Sequence, residues 1–178
     1  MTRVIKIAAD ISERVHSALE QEAVINAINR SMAIITFNPE GIVLEANENF
    51  LNVTGYKRDE VIGKHHRLFC ADTLYKSDEY RQFWERLNQG EFFSGQFPRL
   101  NRQGDPLWLR ATYNPVFNSD GQLYKIVKFA TDVTADVLRN QREQEAAVHA
   151  WDMAVQTRGC AQSGASVIEN SILMIDRI

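Results

Sequence analysis

The chain has 178 residues, of which 44% are apolar, 24% charged and 10% aromatic, and its formal net charge is −3. This composition is typical of a folded globular protein and excludes an intrinsically disordered, collagen-like or disulfide-stabilised chain. Because the 20 basic residues are outnumbered by 23 acidic ones, the chain is not a basic domain and nucleic acid is not an expected partner. The two cysteines, Cys70 and Cys160, lie far apart in sequence and favour a reducing, cytoplasmic location. No apolar run approaches the roughly 20 residues of a membrane span.

The first residues of the chain repeat a segment near its middle. Residues 5–12 and 127–134 align at a constant offset of 122 (127 minus 5), with three identical positions. Each copy reads as a strand that ends in Asp-x-Ser/Thr and leads into a helix. We therefore predict that residues 1–12 are the last strand of a preceding copy of the same module and that 13–31 form a linker helix. Chance similarity between two strand-to-helix junctions is the alternative.

Three turn signals share the pattern Asn-x-x-Gly, at residues 38–41, 101–104 and 118–121. Asn at the first place and Gly at the fourth suit a type I turn followed by a left-handed glycine. The segments that flank these turns predict five strands, at 32–37, 42–46, 92–100, 107–117 and 123–132. Strands joined by tight hairpins form an antiparallel sheet.

The segment between the second and third strands reads as several short helices. Gly55, Gly63 and Gly90 end three of them. The longest covers 79–88, with a cap at Ser77 or Asp78, and presents one apolar face made of Tyr80, Phe83, Trp84 and Leu87. The predicted fold class is α+β, with a five-stranded antiparallel sheet and helices on one face.

Residues 32–134 resemble the PAS sensor domains, most closely those of bacterial chemotaxis and aerotaxis receptors. The resemblance rests on the Gly-Ile-Val-Leu-Glu-Ala-Asn block at 41–47, Phe50, Thr54-Gly55-Tyr56, Ile62-Gly63-Lys64, Phe83-Trp84-x-x-Leu87-x-x-Gly90-Glu91, Gly95, Gly104, Trp108, Asn114-Pro115-Val116 and Asp132-Val133-Thr134. It implies the PAS fold, with an interior that many members use to hold flavin, haem or a small metabolite and that others leave empty.

FAD is the cofactor that the resemblance favours if one is bound. Trp84 and Trp108 are candidates to line its ring, although both also suit a plain aromatic core. The PAS subfamily with cysteinyl-flavin photochemistry carries a reactive cysteine where this chain has His66, and Cys70 stands where that subfamily has glutamine. Two asparagines that hold the flavin there correspond to Arg99 and Leu109 here. We therefore exclude cysteinyl-adduct photochemistry.

Haem b is the alternative cofactor, because it needs an axial ligand that is usually histidine. The helix at 79–88 contains no histidine, so His65 or His66 would have to serve. Adjacent residues on a helix point about 100° apart, so at most one of the two faces the interior. His66 and Cys70 are spaced i, i+4, but a zinc site needs further ligands, and we predict no metal site apart from this possible haem ligand.

The sequence contains no phosphate-binding loop and no recognisable catalytic set, so we expect no enzymatic activity from this chain. Asp132 and Thr134 stand where a strand becomes a helix, and in the PAS family this motif couples the sheet to the outgoing helix. Asp10 and Ser12 occupy the matching places in the first copy.

The output helix is predicted over 135–178, and its end resembles the start of the signalling hairpin of methyl-accepting chemotaxis proteins. Residues 141, 148 and 155 are spaced as an imperfect heptad seam, and the family resemblance implies a homodimer through the flanking helices. Beyond Trp151 we expect fraying, disorder or packing against a second chain.

The leading prediction is a regulatory PAS module of a chemotaxis transducer that senses oxygen, redox state or a small ligand. Its partners would be a chemotaxis kinase and a coupling protein. The sensor region of a histidine kinase or diguanylate cyclase, and a ligand-free dimerisation module, are the alternatives.

Overall fold

A computed structural model of the chain describes the backbone of residues 2–175 and the side chains of residues 15–164. The helices are α1 Thr2–Ser31, α2 Glu48–Thr54, α3 Arg58–Val61, α4 Asp72–Tyr75, α5 Asp78–Asn88 and α6 Thr134–Ile175, with a 3₁₀ turn at His66–Phe69. The strands are β1 Ala33–Phe37, β2 Val43–Ala46, β3 Phe93–Leu100, β4 Pro106–Phe117 and β5 Leu123–Asp132. The chain divides into two compact units, residues 1–134 and 135–178.

The five strands form one antiparallel sheet in the order β2-β1-β5-β4-β3. The predicted α+β fold class and all five predicted strands are confirmed, with bounds that differ by one residue at most. Each Asn-x-x-Gly segment forms its turn in the same way. In the first, Asn38 O accepts from Gly41 N at 2.9 Å and Asn38 Oδ1 accepts from Ile42 N at 2.7 Å, while Gly41 has φ +80°.

The strand predicted at residues 1–12 is wrong for residues 2–12, because these belong to α1. A strand needs a neighbouring strand to pair its backbone groups, and this segment does not pair with β2 or β3, the two edge strands of the sheet. A helix pairs its own N–H and C=O groups within the segment. The similarity between 5–12 and 127–134 therefore does not extend to their structure here, and the preceding repeat stays a prediction.

The helix predicted over 135–178 is present as α6, Thr134–Ile175. The structure continues α6 to Ile175 without interruption, and the fraying, disorder or packing against a second chain expected beyond Trp151 stays a prediction. The last three residues of the chain lie outside the described part.

Alternating side chains divide the sheet into two faces. The inner face of β1, β4 and β5 carries buried residues at every second position, including Ile35, Leu109 and Ala130. Segments α2 to α5 cover this face, with Trp84 and Leu87 of α5 in the core. The opposite face meets the C-terminal part of α1 along a groove of about 320 Å³.

Candidate functional site

The end of β5 and the start of α6 are joined by a small hydrogen-bond cluster. Asp132 Oδ1 accepts from the Thr134 backbone N–H at 2.8 Å and from the Thr134 hydroxyl at 2.6 Å. The Trp108 backbone N–H donates to Thr134 Oγ1 at 2.9 Å, and Trp108 O accepts from Val133 N at 2.9 Å. Asp132 and Thr134 thus hold the exit of β5 against β4.

A second cluster is centred on His66, which is fully buried between the sheet and α5. The segment that carries His66 is held by β2 and the turn before it. His66 N donates to Gly41 O at 2.8 Å, Val43 N donates to Lys64 O at 2.8 Å, and Gly63 N donates to Val43 O at 2.9 Å. The 3₁₀ turn at His66–Phe69 then directs the ring into the interior.

Both ring nitrogens of His66 have hydrogen-bond partners. Nδ1 lies 2.9 Å from the Tyr80 hydroxyl and Nε2 lies 3.1 Å from the Tyr113 hydroxyl. A neutral imidazole satisfies both contacts, because one nitrogen donates and the other accepts. Burial, followed by the charges of Arg99 and Lys128, holds the pKa of His66 well below its usual value.

Strands β3, β4 and β5 each contribute one basic or polar side chain to the cluster around His66. Arg99 of β3 donates from Nη2 to the Tyr113 hydroxyl at 3.0 Å, and from Nη1 to Pro98 O at 2.6 Å. Tyr113 of β4 and Lys128 of β5 are register partners, and Lys128 Nζ lies 4.8 Å from the centre of the Tyr113 ring. Burial and, next, the charge of Arg99 hold the pKa of Lys128 well below its usual value.

The thiol of Cys70 lies beside the His66 ring. Its Sγ is 3.7 Å from His66 Nδ1 and 3.8 Å from His66 O. Burial raises the pKa of this thiol, as it raises the pKa of Tyr80 and Tyr113. These three groups are therefore protonated at neutral pH.

The structure brings together four of the residues predicted as cofactor ligands. Trp84, His66, Arg99 and Leu109 all lie in the interior. As predicted, only one histidine of the pair is enclosed. His65 is half-buried, and its Nδ1 accepts from Arg67 N at 3.1 Å, which caps the 3₁₀ turn.

Trp108 does not line the interior. It alternates with the buried Leu107 and Leu109 along β4 and therefore lies on the opposite face of the sheet. A cofactor-binding role does not fit this position. Asp10 and Ser12 fall in the part of α1 whose side chains are not described, so their predicted role in signal relay stays a prediction.

Sequence reasoning missed Tyr80, Tyr113 and Lys128 as members of the His66 cluster, whereas the i, i+4 spacing of His66 and Cys70 indicated that these two lie close together. The alternation Ile126-x-Lys128-x-Ala130 was a usable signal, because it assigns Lys128 to the same face as two core residues. The contacts of Tyr113 with His66 and Arg99 join residues 47 and 14 positions apart and need the folded sheet to be seen.

The interior does not fit flavin or haem in its present arrangement. Tyr113 packs edge-on against Phe83 and Phe97, with ring centroids 5.0 and 5.2 Å apart, and so fills the space beneath α5. The cavity beside it measures about 190 Å³, below the roughly 300–1,000 Å³ of typical ligand pockets. Since both His66 nitrogens are already hydrogen-bonded, neither is available as an axial ligand for haem.

Three comparisons with known proteins agree with this fold. The PAS domain family model matches residues 31–135. The biofilm dispersion protein BdlA of Pseudomonas aeruginosa is 43% identical over 172 residues, which cover 97% of this chain and 41% of that protein. The aerotaxis receptor of Escherichia coli is 26% identical over 99 residues, 56% of this chain and 19% of that protein.

A solved structure of an RNA-binding light-oxygen-voltage receptor superimposes with a TM-score of 0.60 at 25% identity, over 75% of this chain and 38% of that one. The chain belongs to the PAS domain family, and it is similar to sensor domains of bacterial signalling proteins. It spans less than half the length of these full-length relatives. Among the described residues, no helix is long and apolar enough to cross a membrane.

Proposed function

We propose that this chain is the sensory module of a chemotaxis-type bacterial receptor and that it regulates output without catalysing a reaction. The similarity to the biofilm dispersion protein, which extends over nearly the whole chain, and the similarity to an aerotaxis receptor support this assignment. The observation that carries the proposal is the Asp132–Thr134–Trp108 cluster, because it joins two sheet strands to the first residue of α6.

The relay proposed here uses those hydrogen bonds directly. A change in the interior that shifts β4 or β5 also shifts Trp108 and Asp132, since Trp108 belongs to β4 and Asp132 is the last residue of β5. Thr134 is hydrogen-bonded to both of them and is the first residue of α6. The proposed signal is therefore a change in how α6 begins.

The output element is proposed to act in a homodimer. Within the second unit, Val148, Trp151 and Val155 expose 57%, 67% and 49% of their surface. A helix with this many exposed apolar side chains favours a partner helix, and Val148 and Val155 are one heptad apart. We propose a cytoplasmic dimer that acts on a chemotaxis kinase through a coupling protein.

The test is Asp132→Ala in the full-length receptor, with Asp120→Ala as the matched control. Asp120 lies in an exposed hairpin turn, and no hydrogen bond of its carboxylate is part of the relay. Kinase control by the reconstituted receptor is expected to lose its response to stimulus in Asp132→Ala and to keep it in Asp120→Ala. An unchanged response in a folded Asp132→Ala receptor would refute the relay.

Two other functions are tested by different measurements. A sensor region of a histidine kinase or diguanylate cyclase would be followed in its parent protein by a catalytic domain, whereas a chemotaxis receptor continues as a long heptad hairpin. A ligand-free dimerisation module would show a dimer in light scattering and no stabilisation by any ligand.

FAD, which the PAS resemblance implies, is the candidate cofactor, with haem b as the alternative. Because Tyr113 packs against Phe83 and Phe97 beneath α5, binding of either ring system there would require this aromatic cluster to move. An absorbance spectrum of the purified protein decides the matter. A Soret band indicates haem, the two flavin bands indicate flavin, and a colourless folded protein that cannot be reconstituted excludes both.

A further inference from the structure

The interior of the domain contains two basic side chains with no acidic partner. Arg99 is 5% exposed and Lys128 is 2% exposed, and none of the described buried residues is Asp or Glu. Arginine stays protonated in proteins, and a charge removed from water is costly unless an opposite charge or hydrogen bonds replace the water. The missing counter-charge points to an anion from outside the chain.

The Arg99 guanidinium is only partly satisfied. Its two terminal nitrogens each donate to one oxygen, of Pro98 and of Tyr113, while Nε is buried and has no hydrogen-bond partner. A guanidinium has five N–H donors arranged in a planar fork, which matches the two oxygens of a carboxylate. Arg99 thus keeps donors for a bidentate ligand.

A cavity of about 190 Å³ has Arg99 in its lining. Arg99 and Tyr80 line it and are also members of the His66 cluster, so the cavity adjoins the interior network. Most of its remaining wall is apolar and comes from Leu74, Phe83, Phe97 and Pro98. Glu79, an exposed residue in the first turn of α5, also lines it.

We propose that this cavity binds a small organic carboxylate with an apolar body, whose oxygens accept hydrogen bonds from the Arg99 guanidinium. The apolar wall favours such a compound over an inorganic anion. The volume of the cavity restricts the ligand to the size of one ring with a few additional atoms. This inference rests on the proposed sensory function, because it names the class of ligand that the module would sense.

Lys128 supports the same assignment. Burial and the neighbouring charge of Arg99 depress the pKa of Lys128. A carboxylate beside Arg99 offsets that repulsion, so a bound anion makes the interior more favourable for both basic residues.

The experiment measures thermal stability of the purified chain with sodium benzoate as the probe. Benzamide, which has the same shape without the charge, and sodium chloride at equal ionic strength are the controls. A ligand that binds only the folded state raises the melting temperature as its concentration rises. Benzoate is expected to stabilise the protein and benzamide is not.

Arg99→Gln tests the residue, with Arg110→Gln as the matched control. Arg110 is an exposed arginine of β4, and its replacement makes the same change in net charge. Arg99→Gln is expected to weaken benzoate binding at least tenfold, while Arg110→Gln leaves it unchanged. If Arg99→Gln does not fold, the arginine Nε–Hε NMR signals of the wild-type protein decide the question, because benzoate is expected to move the signal of the buried arginine.

Equal stabilisation by benzoate and benzamide, no stabilisation by benzoate, or shifts confined to surface arginines would each overturn the proposal. None of these results bears on the Asp132 relay, which is measured by kinase control in the full-length receptor. A failed ligand assignment and a failed sensory function are therefore distinguishable.

Discussion

The Tyr113 hydroxyl is the most informative single group to remove, because it joins the two halves of the interior cluster. It is 3.1 Å from His66 Nε2 and accepts from Arg99 Nη2 at 3.0 Å. Tyr113→Phe keeps the ring and its edge-on packing against Phe83 and Phe97. The substitution therefore removes hydrogen bonds and leaves the apolar packing in place.

The expected loss follows from the two partners left behind. A buried polar group without its hydrogen bond costs about 1–3 kcal/mol, and a charged one costs more. Since both His66 and Arg99 are affected, we expect Tyr113→Phe to lower the free energy of unfolding by about 2–5 kcal/mol. Urea denaturation followed by circular dichroism measures this difference.

Tyr124→Phe is the matched control, because Tyr124 lies on β5 and is 47% exposed. It is expected to change stability by no more than about 0.5 kcal/mol. A Tyr113→Phe variant as stable as this control would refute the view that the hydroxyl satisfies two buried partners. In a double-mutant cycle, Arg99→Met combined with Tyr113→Phe should cost less than the sum of the single changes.

Two further substitutions test other parts of the domain. Lys128→Met is expected to stabilise the protein at neutral pH by about 1–4 kcal/mol, a magnitude taken from the replacement of buried ion pairs by apolar residues, whereas Lys125→Met on the other face of β5 is not. Burial and the charge of Arg99 depress the pKa of Lys128 in the folded state. The unfolded chain therefore binds one more proton than the folded chain at pH values below the unfolded pKa of about 10.4. Because of this difference, the stability of the wild-type protein falls as the pH drops below that value. The advantage of Lys128→Met should therefore shrink as the pH approaches that value in urea titrations, and an advantage independent of pH would contradict this origin. Gly41→Ala should destabilise the protein more than Gly121→Ala. Both glycines have positive φ, but of the two only Gly41 has side chains 3.1 Å from the position of an added Cβ. Equal decreases in melting temperature for the two variants would show that backbone strain alone matters.

Local signals in the sequence were sufficient for most of the sheet. Each Asn-x-x-Gly turn depends on a side chain and a glycine within four residues of each other, so the hairpins were predictable without knowledge of the fold. The strand predicted at residues 1–12 was wrong for residues 2–12, because strand-like composition does not supply a pairing partner. Helix α4, Asp72–Tyr75, was missed because it is one turn long and no glycine ends it.

The candidate site was less predictable, because its members come from distant segments. His66 and Arg99 were found only through their places in the PAS motifs, and those places suggested a cofactor. The structure gives both residues protein partners instead, through Tyr113. Such contacts depend on the register of β3, β4 and β5, which local patterns do not specify.

The interior cluster and the relay are one residue apart on β4, which gives the two proposals a common mechanism. Arg99 pairs with Leu107 across β3 and β4, and the next residue, Trp108, donates its backbone N–H to Thr134. A ligand that draws Arg99 toward the cavity therefore acts one residue away from the hydrogen bond that holds the start of α6. In the full-length receptor, Asp132→Ala should abolish the effect of benzoate on kinase control while leaving benzoate affinity unchanged. If affinity and output were lost together, Asp132 would be maintaining the site itself, and the separation between sensing and relay would be refuted.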